Sequence, residues 1–296
     1  MFVSPTATMV QALEPLRSDP AHGAVLLDVD GTLAPIVERA EDAQVPESTR
    51  SVLIELTKSY GLVACVSGRR AQQARQIVAI GSIAYVGNHG GELLAPGSTE
   101  VQLLEPVMAS WGHRAAAFAQ QASAGTLRGM RVRCEDKGAV VAFHWRGARD
   151  EDAAAVALQE VGKTAEEEGF AVHWGRKVLE VRPPVKLDKG LGIAALFRNE
   201  RGEDVAGAHA EGDGIDGGSE LVATAEPGIT AAVYVGDDRT DVDAFNQLRT
   251  MVAEGTLQAA VCVAVASEEA PAELVALADV VLDGPGEVRA MLSALL

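Results

Sequence analysis

Short apolar runs that end in glycine, acidic or hydroxyl residues mark both ends of the chain. Ala24-Val25-Leu26-Leu27 leads into Asp28-Val29-Asp30-Gly31-Thr32, and Leu62-Val63-Ala64-Cys65-Val66 leads into Ser67-Gly68-Arg69. Ile83-Ala84-Tyr85-Val86 leads into Gly87-Asn88-His89-Gly90, and Ala231-Ala232-Val233-Tyr234-Val235 leads into Gly236-Asp237-Asp238. Apolar runs this short, with no polar alternation, predict strands buried on both faces. Between the first two, Pro46-Glu47 opens a stretch with Val52, Leu53 and Leu56 at helical spacing that stops near Gly61. An Ala- and Gln-rich helix is predicted after Arg69, and Lys189-Gly190 opens another through Leu196. Val261, Val263 and Val265, then Val280-Val281-Leu282, supply the last strands. Strands alternating with helices imply βαβ units and a mostly parallel sheet.

The middle of the chain has a different period. Residues 105–122 read as a helix carrying Trp111 and Phe118 on one face, and 150–168 as an Ala- and Glu-rich helix. Two β-like runs, 130–135 and 139–145, flank the turn formers Asp136-Lys137-Gly138, and two more, 170–174 and 178–181, meet at Gly175. This helix–hairpin–helix–hairpin order predicts an α+β unit, inserted over residues 106–185, in a parent domain made of 1–105 and 186–296. Residues 199–229 are Gly-, Ala- and acid-rich, with Arg201 their one Lys or Arg, and read as a mobile acidic insertion or flap.

Composition narrows the functional classes. The chain has 296 residues, room for two average domains, and 48% hydrophobic residues are enough to fill them. Twenty-five Lys plus Arg against 42 Asp plus Glu leave a net charge of −17, which disfavours nucleic acid and anionic membrane as partners. An anionic ligand would need a metal ion and a few local cations. Cys65, Cys134 and Cys262 are odd in number and scattered, fitting neither a disulfide framework nor a zinc site; they read as buried free thiols in a reducing cytoplasm. The N-terminus lacks the pattern of a secretory signal, and no stretch approaches ~18 uncharged apolar residues, so no membrane span is expected.

The candidate chemistry lies where the predicted strands end, the edge at which open α/β sheets bind ligands. Asp28 and Asp30, two apart, can serve one site; their mutual repulsion falls if a divalent cation is bound, which leaves a carboxylate available as nucleophile. The same residues also suit a capped turn. Ser67-Gly68-Arg69 before a helix can cradle an anion, or be a cap beside an exposed arginine pair. Lys189 suits a phosphoryl group, with Lys186 an equal candidate on spacing. Asp237, Asp238 and Asp241 crowd three carboxylates into five residues, which favours a metal site over a plain polar loop.

In this order and separation, Asp28-x-Asp30-Gly31-Thr32-Leu33, Ser67-Gly68-Arg69, Lys189 and Gly236-Asp237-Asp238-x-x-Asp241 resemble the haloacid dehalogenase superfamily of phosphatases across nearly the whole chain. Gly87-Asn88-His89-Gly90-x-Glu92, Glu135-x-Lys137, His144-x-Arg146 and Glu180-x-Arg182-Pro183 make it similar, within that superfamily, to the trehalose 6-phosphate phosphatases. The resemblance implies an α/β fold, with a Rossmann-like parallel-sheet core and the inserted α+β unit as a cap. It implies Asp28 as nucleophile and Asp30 as acid and base. Mg²⁺ would be held by Asp28, the Asp30 backbone carbonyl and Asp237, with Asp241 or Asp238 in support through water. Ser67 and Lys189 would bind the phosphoryl oxygens, while Gly68, Arg69, Asn88 and His89 line the site. Glu135, Lys137, Glu180 and Arg182 would meet the sugar hydroxyls; cross-strand charge pairing on a solvent face is the competing role for these four.

The activity so implied is hydrolysis of trehalose 6-phosphate to trehalose and phosphate through an aspartyl-phosphate. The expected partner is a small sugar phosphate, with a trehalose-phosphate synthase upstream, in the cytoplasm. The alternatives are a phosphatase of the sucrose phosphate or glucosyl-glycerate phosphate type, and a non-catalytic sugar-phosphate sensor. A nucleotide-binding protein is disfavoured, since no Gly-rich phosphate loop follows the first strand.

Overall fold

The computed structural model describes residues 7–37, 42–105, 107–200, 228–267 and 270–296. Residue contacts divide the chain into two compact units, one of residues 1–104 with 188–296 and one of residues 105–187.

In the first unit, two short helices, α1 (Ala7–Ala12) and α2 (Glu14–Arg17), precede strand β1 (Gly23–Leu27). Then come α3 (Glu47–Leu56), β2 (Leu62–Val66), α4 (Ala71–Val78), β3 (Ala84–Gly87), β4 (Glu92–Leu94) and β5 (Val101–Leu103). After the second unit the chain continues as α7 (Lys189–Glu200), β10 (Ala231–Gly236), α8 (Asp241–Ala253), β11 (Ala259–Ala266), α9 (Ala272–Leu277), β12 (Val280–Asp283) and α10 (Gly284–Ala294). The sheet order is β12-β11-β10-β1-β2-β3-β4-β5, parallel from β12 to β3 and antiparallel at β3–β4–β5. This is the α/β class expected from the sequence.

The apolar runs become strands because helices cover both of their faces. Val25 and Leu27 point into a core shared with Leu53 and Leu56 of α3 and Met291 and Leu292 of α10. Ala24 and Leu26 point into another with Ile193 and Leu196 of α7 and Phe245 and Leu248 of α8. At about 1.5–3 kcal/mol for each large apolar side chain removed from water, these two layers are the main stabilising term. The register then sets the site. Leu27 of β1 lies level with Cys65 of β2 and with Val235 of β10, so the residues that follow all emerge at one edge. The edge is laced further by Asp28 N–H donating to the Val235 carbonyl at 2.9 Å and Ser67 N–H to that of Val86 at 2.9 Å.

Three expectations change. Lys189 does not follow a parallel strand: it is the first residue of α7, and reaches the sheet edge from a helix start. The antiparallel strands β4 and β5, three residues each, extend the sheet beyond the parallel pattern. Of the cysteines, Cys65 and Cys262 are buried, but Cys134 is exposed because its strand is the edge of the second sheet. Of the acidic segment 199–229, residues 201–227 lie outside the described residues.

The second unit contains α5 (Val107–Ala124), β6 (Arg133–Asp136), β7 (Val141–His144), α6 (Glu151–Glu167), β8 (Ala171–Gly175) and β9 (Val178–Arg182). The strands form an antiparallel sheet in the order β6-β7-β9-β8. Helix α6 starts where the Asp150 side chain accepts the Ala153 N–H at 2.9 Å, satisfying an N-terminal donor. Val141, Phe143, Leu179 and Val181 pack with Phe118 of α5 and Leu158 of α6. Alternation sends their neighbours Glu135, Ala142, His144, Glu180 and Arg182 to the other face.

Candidate functional site

Three strand ends and two helix starts build the site in the first unit. Asp28 follows β1, Ser67 follows β2 and Asp237 follows β10, while Lys189 opens α7 and Asp241 opens α8. The Lys189 Nζ donates to Asp28 Oδ1 at 2.7 Å and to Asp241 Oδ1 at 2.6 Å. Lys186, its rival on spacing, is exposed. Asp241 also accepts the Tyr234 hydroxyl on Oδ1 at 2.7 Å and the backbone N–H groups of Asp237 and Asp238 on Oδ2, both at 2.8 Å. It therefore braces the acidic loop and the lysine together. Asp238 turns back on its own loop, accepting from Thr240 N–H at 2.8 Å and Oγ1 at 2.6 Å.

Two glycines make this convergence possible. Gly31 has φ +84°, and a Cβ there would lie 2.2 Å from Asp237 Oδ2. A Cβ on Gly236 would lie 2.2 Å from the Asp241 carboxyl carbon. Any side chain at either position would push an acidic group out of place.

The electrostatics call for a cation. Burial pushes the Asp28 carboxyl well above the usual carboxylate range; the charge on Lys189 opposes this, but Asp241, Asp237 and Asp238 add to it. Burial also raises Asp241, against the pull of Lys189. Burial works against the Lys189 ammonium, yet Asp241 and Asp28 outweigh it and hold the lysine charged. One ammonium faces several carboxylates. Among the described residues, Asp28, Asp237 and Asp241 are the acidic, histidine or cysteine group able to hold a metal ion, with one oxygen from each within 4.8 Å of the others. This all-oxygen set suits a hard divalent cation such as Mg²⁺. Because the four bonds to Asp241 use both of its oxygens, Asp28 and Asp237 are the better placed direct ligands.

The other core residues gather around these. Arg69 clasps Asp30 with two bonds, Nε to Oδ2 and a terminal nitrogen to Oδ1, each 2.6 Å. The Ser67 hydroxyl, buried, accepts the Arg69 N–H at 3.1 Å. Asn88 N–H donates to the Arg69 carbonyl at 2.7 Å and His89 N–H to that of Ser67 at 3.2 Å, which lays the β3 loop against the β2 loop. Gly68 lets the His89 ring approach, since a Cβ there would meet it at 2.5 Å. Asn88 and His89 both have left-handed backbone, φ +47° and +53°, a conformation that persists only where the surroundings enforce it. Glu92 provides that enforcement: it accepts from Asn88 Nδ2 at 2.6 Å and from the first N–H of α4, Ala71, at 2.8 Å.

Glu135, Lys137, Glu180 and Arg182 form a separate group in the second unit. Lys137 donates to Glu180 Oε1 at 2.8 Å, Arg182 Nε donates to Glu180 Oε2 at 3.0 Å, and Glu135 meets His144 Nε2 at 2.9 Å. Lys137, Glu180 and Arg182 are buried despite their charge. Charge pairing is thus present, but not as the solvent-face, cross-strand pairing expected: Lys137, Glu180 and Arg182 are buried, and Arg182 and Glu180 belong to one strand. Among these pairs Glu135–His144 joins neighbouring strands.

Comparison with known proteins places the chain in a family. The family model described as trehalose-phosphatase matches residues 26–280. The chain belongs to the trehalose-phosphatase family. A trehalose-phosphate phosphatase of Mycobacterium avium is 31% identical over 228 residues, covering 77% of this chain and 52% of that protein. A Mycobacterium tuberculosis protein described as an uncharacterized glycosyl hydrolase is 33% identical, over 76% of this chain but 15% of its own length. The chain thus spans about half or less of the curated relatives it matches. The fold is that of the trehalose-6-phosphate phosphatase C-terminal domain of C. albicans, with a TM-score of 0.73, 20% identity and coverage of 99% of this chain and 98% of that one. Within this trehalose-phosphatase family member, the residues missed by sequence reasoning are Tyr234 and the supporting role of Glu92. An aromatic in a buried strand reads as core, so nothing in the pattern singles out the Tyr234 hydroxyl.

Proposed function

We propose that this chain hydrolyses trehalose 6-phosphate to trehalose and inorganic phosphate, with Mg²⁺, through a phosphoryl group carried on Asp28. The observation behind this reading is the meeting of Asp28, Asp237 and Asp241 oxygens within 4.8 Å beside the buried Lys189 ammonium. Asp28, the Asp30 backbone carbonyl and Asp237 would hold Mg²⁺, which supplies positive charge against the phosphoryl oxygens. Asp28 attacks phosphorus as the bond to the sugar oxygen breaks, and Asp30 gives that oxygen its proton, because an alkoxide is a poor leaving group. Asp30, now a carboxylate, takes a proton from water, whose oxygen attacks the same phosphorus and frees Asp28 and phosphate. Lys189 and Ser67 bind phosphoryl oxygens that gain charge on the way, with Gly68, Asn88 and His89 shaping their surroundings.

Glu135, Lys137, Glu180 and Arg182 offer both donors and acceptors for sugar hydroxyls, and the unit of 105–187 acts as the cap. The protein works in the cytoplasm, supplied by a trehalose-phosphate synthase; no helix among the described residues is long and apolar enough to cross a membrane. Phosphate release from trehalose 6-phosphate, sucrose phosphate, glucosyl-glycerate phosphate and glucose 6-phosphate, each with and without Mg²⁺, tests the reading. The highest kcat/KM is expected for trehalose 6-phosphate, with loss of turnover on chelation. A different preferred sugar would move the assignment to that substrate, and Mg²⁺ binding with no turnover of any ester would make the protein a sensor.

A further inference from the structure

The arginine of Ser67-Gly68-Arg69 resembles a phosphate ligand by its position in the motif, yet two of its five N–H donors are held by a neighbouring carboxylate. Its Nε and a terminal nitrogen both lie 2.6 Å from Asp30, one on each carboxylate oxygen. The two side chains come from loops 39 residues apart. The arginine side chain is 14% exposed and the aspartate 39%, so the fork reaches from the protein interior to a carboxylate at the rim. The Arg69 backbone is pinned as well, its N–H on the Ser67 hydroxyl and its carbonyl under the Asn88 N–H. Such a fork is the strongest and most directional pairing available between side chains, and a lysine cannot reproduce it.

We infer that Arg69 is a positioning residue for Asp30, aligning the proton-transferring carboxylate, and is not a ligand of the substrate phosphate. This rests on the phosphatase reading above and assigns a task within that site. Asp30 is the most exposed of the reacting groups, and its short side chain would otherwise sample several rotamers. An acid misplaced by about 1 Å can lose about a hundredfold in rate. The fork leaves Asp30 able to act, since a carboxylate has about four lone-pair positions and Arg69 takes two. The other two can carry the proton to the sugar oxygen and take one from water.

Leaving-group dependence tests this. The value of kcat/KM covers the steps up to departure of the alcohol, and acid assistance matters far more for a sugar alkoxide than for nitrophenolate. Wild type, Asp28→Asn, Arg69→Ala and Arg69→Lys are compared on trehalose 6-phosphate and p-nitrophenyl phosphate, with the inhibition constant for inorganic phosphate. For Arg69→Ala, kcat/KM on the sugar phosphate should fall at least tenfold more than on the aryl phosphate. KM and the phosphate inhibition constant should stay within about twofold, and Arg69→Lys should recover part of the loss. If KM and the inhibition constant rise together, or both esters lose equally, Arg69 binds phosphate and the inference fails. If the alanine variant does not fold, the lysine variant alone is judged by the same ratio. A wild type inactive on both esters would instead overturn the phosphatase reading itself, and the inference with it.

Discussion

Asp28 is where burial, charge and reactivity meet. Its carboxyl is raised by removal from water and by neighbouring acids, and only Lys189 opposes this. A bound divalent ion would relieve that crowding, so metal binding should stabilise the fold by linkage. Mg²⁺ at 100 times its dissociation constant contributes about 2.7 kcal/mol, roughly 4–5 °C in Tm for a chain of this size. Asp28→Asn removes one crowded charge while keeping the shape. The variant is expected to fold, with a metal-free Tm equal to or above that of wild type, to lose the Mg²⁺-dependent rise, and to show no turnover. Thermal unfolding with and without Mg²⁺, beside a phosphate-release assay, checks all three. A folded and fully active Asp28→Asn would remove Asp28 from the role of nucleophile.

The elements show why part of the site is readable from sequence and part is not. Asp28, Ser67, Asn88 and Asp237 each follow an apolar run that becomes a strand of the central sheet, so the polar residue after the run announces the functional edge. Lys189 has no such marker, because its approach depends on where α7 lies against the sheet. Tyr234 is hidden for a related reason: inside β10 it reads as core, and only the turn from β10 into α8 brings Asp241 back over its hydroxyl. Cys134, expected as a buried free thiol, is exposed because β6 is an edge strand, and the charged neighbours Arg133 and Glu135 already mark that strand as solvated. Tyr234→Phe tests the hidden brace. The fold should lose about 1–2 kcal/mol, the usual effect of deleting one partner of a buried hydrogen bond. With Asp241 held less firmly, Lys189 shifts between its two carboxylates, and kcat should fall several-fold with little change in KM. Chemical denaturation and steady-state kinetics measure the two effects separately. Unchanged kcat would confine Tyr234 to a packing role.

Across the whole molecule the charge is adverse to the proposed substrate. A net −17 repels a phosphate dianion at long range, and only local cations such as Lys189 and a bound metal reverse the sign close in. Added salt screens the long-range part over about 10 Å at 0.1 M, while the buried Asp28–Lys189–Asp241 cluster is shielded from it. Screening of the long-range negative field alone predicts opposite salt dependence for the encounter with an anionic substrate and for the affinity of a cation. Mg²⁺ should bind more weakly as salt rises, whereas kcat/KM at saturating Mg²⁺ should rise about two- to threefold between low and moderate NaCl. Measuring kcat/KM against NaCl at several fixed Mg²⁺ concentrations separates them, since only the unsaturated series should decline. A decline that persists at saturating Mg²⁺ would mean that local positive potential, not net charge, governs the approach. The cations near the reacting edge would then steer the substrate as well as hold it.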